Sequence, residues 1–267
     1  EKNSVSFTYD EHITIKTTIP SLGPMSGNFT IRIIGGPFID TKDTRCKFGK
    51  TALVPGYYKN VNEITCIAPA VSHSGFVELE VTQNLIDFTS SRFAFKYYPN
   101  IELSYINPVS GPAWSAGTSV AVLGYNFINS SSILCRFGQV EMPATFFSTK
   151  RITCNSPTLN IKSNGTDLTW RNLNEQRENS DPSSSMMFPG SHNYPQYKLF
   201  PTPFEVSNNA QDYTNSGILF IYQHDIKVHK VINERGPSLG GTPLFVVGEG
   251  FINTTDLMCR IGHHTTH

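Results

Sequence analysis

Charge is scarce in this 267-residue sequence and neither sign prevails: Lys plus Arg equals Asp plus Glu at 21 each, and these four types make up only 16% of the chain. A balanced surface leaves no electrostatic footprint, which disfavours nucleic acid or an anionic membrane as partner. Long apolar runs are missing as well. Apolar residues fall in short stretches broken by 20 Gly and 17 Pro, and no window approaches the ~18 consecutive apolar residues of a bilayer-crossing helix. No long helical period appears. The sequence opens with Glu1 and lacks a charged head followed by an apolar stretch, so a signal peptide is expected to have been removed or to lie upstream. Cysteine is limited to five residues without a Cys-x-x-Cys pair, which argues against a structural zinc site. No cofactor is expected.

What is present is a repeat. Cys46-Lys47-Phe48-Gly49, Cys135-Arg136-Phe137-Gly138 and Cys259-Arg260-Ile261-Gly262 are versions of one tetrapeptide. Each follows a Phe by eight residues (Phe38, Phe127, Phe251), and each Phe follows a Gly by three (Gly35, Gly124, Gly248). Upstream lie Gly23-Pro24, Gly111-Pro112 and Gly236-Pro237. The first two repeats stay in step beyond the cysteine, with Ile64-Thr65-Cys66 answering Ile152-Thr153-Cys154. Farther on, Glu80 to Asn84 with Asp87-Phe88-Thr89 is matched by Glu205 to Asn209 with Asp212-Tyr213-Thr214. Self-similarity of this kind marks an array of like units.

Local pattern supplies the fold class. Phe29, Ile31 and Ile33 alternate with Thr30 and Arg32; Val120 and Val122 alternate with Ser119 and Ala121; Phe76, Val77, Leu79 and Val81 mark a later strand. Period-two runs of β-branched and aromatic residues, separated by Gly, Pro, Asn and Ser, predict all-β sandwiches of roughly 80 to 90 residues each. The expected division is a closing strand of a preceding repeat in 1–12, a full repeat in 13–98, a second in 99–224 enlarged by an insertion at about 158–200, and the start of a third in 225–267. Almost no linker separates Tyr97 from Ile101, so neighbouring units should abut with limited freedom. Phe48, Phe127, Phe137 and Tyr222 recur at equivalent positions and are expected in the cores.

The motifs Ile-x-Pro-x-x-Gly-Pro (Ile106, Pro108, Gly111, Pro112), Gly-x-x-Phe, Cys-Arg-Phe-Gly and Ile-Thr-Cys resemble the IPT/TIG family, the immunoglobulin-like domains of plexins, Met-type receptors and many protist surface proteins. The first repeat keeps Pro20, Gly23 and Pro24; the third has Asn233 in place of the proline. The resemblance implies tandem immunoglobulin-like sandwiches. Its paired cysteines fit the receptor branch of the fold better than the intracellular or starch-enzyme branches. Cys46 to Cys66 is a spacing of 20 and Cys135 to Cys154 a spacing of 19, pointing to one disulfide per repeat, with Cys259 left without its partner. Sequons stand at Asn28, Asn129, Asn164 and Asn253, the second and fourth at the same turn of two repeats. Disulfides and sequons together imply N-linked glycans and an extracellular or cell-surface location reached through the secretory pathway.

Three rival features are weaker. Gly236-Pro237-Ser238-Leu239-Gly240 matches a hydrolase nucleophile turn, but no helix follows and the aligned turns lack the serine. His263, His264 and His267 crowd one end without a metal-binding frame. The polar stretch 158–200 carries Trp170, Arg171, Met186, Met187 and Phe188, and is the candidate partner-contacting loop. No acidic pair points to catalysis. The expectation is therefore a non-catalytic extracellular glycoprotein array for adhesion or recognition through homotypic or heterotypic protein contacts. The alternative is a structural subunit of an extracellular filament or coat.

Overall fold

The computed structural model describes residues 9, 11–50, 52–113, 117–158, 200–223, 225–252 and 257–266. Every element among them is a strand. The first unit comprises β1 (Thr14–Ile19), β2 (Leu22–Pro24), β3 (Thr30–Gly36), β4 (Arg45–Phe48), β5 (Ala52–Asn60), β6 (Glu63–Ile67), β7 (Gly75–Thr82) and β8 (Phe93–Tyr98). The second repeats this plan with β9 (Glu102–Asn107), β10 (Ser110–Pro112), β11 (Ser119–Tyr125), β12 (Leu134–Phe137), β13 (Val140–Ser148), β14 (Arg151–Asn155), β15 (Phe200–Ser207) and β16 (Leu219–Gln223).

Hydrogen bonds link the strands of the first unit in the order β1-β3-β6-β5-β4-β7-β8-β2. Nine-residue β5 makes the chain of pairings continuous: its first part pairs with β4 and its second with β6, so it crosses from one layer to the other. The layers enclose one core. Ile31, Ile33 and Ile64 project from the β3-β6 layer against Phe48, Leu79, Val81 and Phe95 of the other, all 4% exposed or less. In the second unit Val120, Val122 and Ile152 meet Phe137, Phe204, Val206 and Phe220 in the same manner. Period-two alternation places these side chains inward, and each fully buried one contributes about 1.5–3 kcal/mol. The rings interlock edge to face, with Phe137 5.0 Å from Phe204 and 5.3 Å from Phe220. All four recurring aromatics expected in the cores are buried there.

Cys46 on β4 and Cys66 on β6 are joined as a disulfide, as are Cys135 on β12 and Cys154 on β14. Each bond ties one layer to the other around the crossing strand. The Gly-x-x-Phe landmark also has a packing cause. Gly35 lies opposite Ile15, and Gly124 opposite Leu103. A Cβ on either glycine would overlap the carbonyl oxygen of Thr14 or Glu102, so the edge strand can approach only a bare backbone.

The third segment forms two hairpin ladders, β17 (Lys227–Ile232) with β18 (Phe245–Glu249), and β19 (Cys259–Ile261) with β20 (His264–Thr266). Gly248 again faces the edge strand, opposite Val228. Cys259 is exposed and unbonded.

Candidate functional site at the joint between the sandwiches

β8 ends at Tyr98 and β9 begins at Glu102, which brings the two sandwiches into contact. Asn100 holds both sides: its Oδ1 accepts the amide of Ser26 at 3.3 Å, and its carbonyl accepts Asn126 Nδ2 at 2.8 Å. A turn after β15 completes the joint. Asn209 Nδ2 donates across it to the Leu22 carbonyl at 3.2 Å, and Gln211 Nε2 donates to the Thr30 carbonyl at 3.0 Å.

Hydrogen bonds within the turn pin its shape. Asn209 Oδ1 accepts the amides of Gln211 and Asp212 at 3.1 and 2.9 Å, and Nδ2 also donates to Asp212 Oδ2 at 2.7 Å. Fully buried Asn208 donates to the Asn126 carbonyl, accepts the Ile128 amide and accepts Ser130 Oγ on its own carbonyl, all within 3.0 Å. Glu205, 7% exposed, accepts Thr214 Oγ1 and the amide and hydroxyl of Ser216. Pairing of Asn208, Asn209 and Glu205 in this way is what buried polar side chains require.

The first sandwich builds the same turn. Asn84 Oδ1 accepts Ile86 and Asp87 amides at 3.0 and 2.8 Å, and Asn84 Nδ2 donates to Asp87 at 2.8 Å. Thr89 Oγ1 accepts the Val81 amide at 3.0 Å, as Thr214 Oγ1 accepts that of Val206 at 3.0 Å. Lys47 lies over the Phe88 ring where Arg136 lies over that of Tyr213. The tips differ: Leu85 and Ile86 are exposed in the first turn, whereas Ala210 and Gln211 stand at those places in the second.

Beside the contacts lies an open cleft of about 760 Å³ whose walls include Ser26, Tyr98, Asn100, Glu102, Asp212 and Asn215. Burial pushes the Asp212 carboxyl above the usual aspartate range, with the Asn209 amide opposing it. The Tyr98 phenol is pushed up by burial first and by the Asp212 charge second. No group of three or more metal-ligating side chains occurs among the described residues. A joint of amides, carbonyls and one half-buried carboxylate can hold an angle and offer hydrogen bonds.

The model of the IPT/TIG domain matches residues 14–97 and again 102–185. The chain belongs to the IPT/TIG domain family. Human Plexin-A4 is 28% identical over 157 residues, a stretch covering 53% of this chain and 8% of that protein. Among solved structures, the plexin A4 extracellular region aligns with 88% of the chain and 17% of its own length at TM-score 0.44 and 19% identity. SGBP-B from a xyloglucan utilization locus of Bacteroides uniformis aligns with 55% of the chain and 43% of its own length at TM-score 0.25 and 21% identity.

Against this IPT/TIG frame, Asn28 and Asn129 are exposed on loops. Asn164, Asn253, His267 and the loop residues Trp170, Arg171, Met186, Met187 and Phe188 lie outside the described residues, as does most of the expected closing strand in 1–12. The second family match ends at residue 185, whereas β15 and β16 pair with β12 and β10 as β7 and β8 pair with β4 and β2. Asn100, Asn209, Gln211 and Asp212 are joint residues that the sequence did not single out. The signal for two of them, Asn209 and Asp212, was present in the repeated Asn-x-x-Asp turn, whereas Gln211 stands where the first repeat has Ile86.

Proposed function

We propose that this chain is a non-catalytic, N-glycosylated stretch of an extracellular IPT/TIG array that presents closely abutting sandwiches for recognition or adhesion through protein contacts. The observation that carries it is the tandem family match combined with one disulfide in each of the two matched sandwiches, because disulfides persist in oxidising, extracellular compartments. Similarity to human Plexin-A4 adds support. Among the described residues no helix is long and apolar enough to cross a membrane. The proposed units are 13–98, 99–224 with its insertion at about 158–200, and the beginning of a third in 225–267, after a closing strand in 1–12. The insertion loop bearing Trp170, Arg171, Met186, Met187 and Phe188 is the proposed contact surface.

The test is adhesion of beads carrying the secreted chain to intact cells and to one another, before and after reduction. Selective adhesion lost on reduction supports the reading. Free thiols at Cys46 or Cys154 in native secreted material, or assembly into a regular polymer that adheres to nothing, would overturn it.

A further inference from the structure

We propose that N-glycans on Asn28 and Asn129 form a collar around the joint between the two sandwiches, closing its polar cleft and limiting its bending. The inference rests on the secreted-glycoprotein reading above and specifies where the sugars act. The two sequons belong to different sandwiches, and each lies within two residues of a group bonded to the turn that spans the joint. Asn28 is exposed and adopts the left-handed backbone (φ 62°) that asparagine tolerates. It directly follows Ser26 and Gly27 on the cleft wall, and it stands two residues before Thr30, whose carbonyl takes the Gln211 amide across the joint. On the other side, exposed Asn129 is bracketed by Ile128 and Ser130, both hydrogen-bonded to Asn208. The next residue, Asn209, is the one that reaches Leu22.

The joint needs such reinforcement. The hydrogen bonds across it are those of Asn209, Gln211 and Asn100 beside buried Tyr98, and interfaces between domains of one chain permit relative motion unless they are large and hydrophobic. The cleft walls carry Asn100, Glu102, Gln211, Asp212 and Asn215, a set of donors and acceptors suited to sugar hydroxyls directly or through water. Saccharide lying against both sandwiches restricts the angle between them, and its bulk keeps protein partners off the joint.

The experiment uses the whole chain secreted from a glycosylating host. Thr30→Ala removes the first sequon but keeps the carbonyl that Gln211 needs; Ser131→Ala removes the second but keeps the Ser130 hydroxyl on Asn208. Enzymatic trimming of the folded wild-type chain provides the same comparison without substitution. Glycopeptide mapping should find both asparagines occupied. Hydrogen exchange of residues 208–216 should be several-fold faster in the double variant and the trimmed protein, with X-ray scattering reporting a more bent ensemble and β6 and β14 amides unchanged. Occupied sites with unaltered exchange and scattering, or occupancy of only one site, would refute the collar and leave the glycoprotein reading standing. Neither Asn28 nor Asn129 occupied would refute the collar, and no sequon occupied at all, Asn164 and Asn253 included, would overturn the glycoprotein reading as well.

Discussion

Gln211 Nε2 lies 3.0 Å from the carbonyl oxygen of Thr30, a residue 181 positions earlier. This hydrogen bond and that of Asn209 to Leu22 set one sandwich on the other. Replacing Gln211 by Ala removes an exposed donor without disturbing the Asn209 frame of the turn. The expected cost is at most about 1 kcal/mol of joint stability, with both cores unaffected. Small-angle scattering should report a wider distribution of inter-sandwich angles while the thermal transitions stay in place. An unchanged distribution would mean that Asn209 to Leu22 and the Asn100 contacts fix the angle without Gln211.

The disulfides act within their own sandwiches. Cys46 and Cys66 are 20 residues apart in sequence, and closing a loop of that length stabilises a domain by about 3 kcal/mol in the chain-entropy model. The Cys46→Ala/Cys66→Ala double variant is expected to lose about that much from the first sandwich only, because its core shares no member with the second. Denaturation followed by domain-resolved hydrogen exchange checks this. Equal losses in both sandwiches would show that the joint couples their unfolding.

Legibility followed from the range of the interactions involved. Strand alternation is local, so Ile31 and Ile33 announce an inward face before any fold is known. Repetition made Cys46, Cys66, Cys135 and Cys154 comparable across units, and the resemblance agreed with the sandwich that the alternating runs predict. The joint was opaque for the opposite reason. Asn209 and Gln211 donate to main-chain carbonyls of Leu22 and Thr30, and carbonyls carry no sequence signature. Similar Asn-x-x-Asp turns also occur at an exposed tip and at a contact, so spacing alone does not separate the two uses.

Gly124 tests the packing behind the Gly-x-x-Phe landmark. A Cβ there meets the Glu102 carbonyl on β9, the strand that leads directly out of the joint. Gly124→Ala should displace β9 and destabilise the second sandwich by about 1–3 kcal/mol, the usual cost of forcing atoms into filled space. Thermal unfolding measures the loss, and faster exchange across 102–107 locates it. A variant with wild-type exchange in β9 would show that the strand yields without strain.

Asp212 gives the joint a pH dependence whose sign can be worked out. Burial raises its pKa in the folded chain, the Asn209 donor only partly opposes that, and Tyr98 lies close enough to feel the charge. In the unfolded chain an aspartate titrates near about 3.9. The folded protein therefore holds the proton more tightly, and this contribution to stability is fully present below the unfolded value. It is lost as pH rises through the raised folded value, where the carboxylate becomes charged while half-buried. Asp212→Asn keeps an oxygen to accept from Asn209 and carries no charge at any pH. Denaturation midpoints across a pH series should show wild type losing ground to Asp212→Asn as pH climbs through that window, then running parallel above it. The reverse slope would mean that the Asn209 amide outweighs burial and that the joint stabilises the ionised carboxylate.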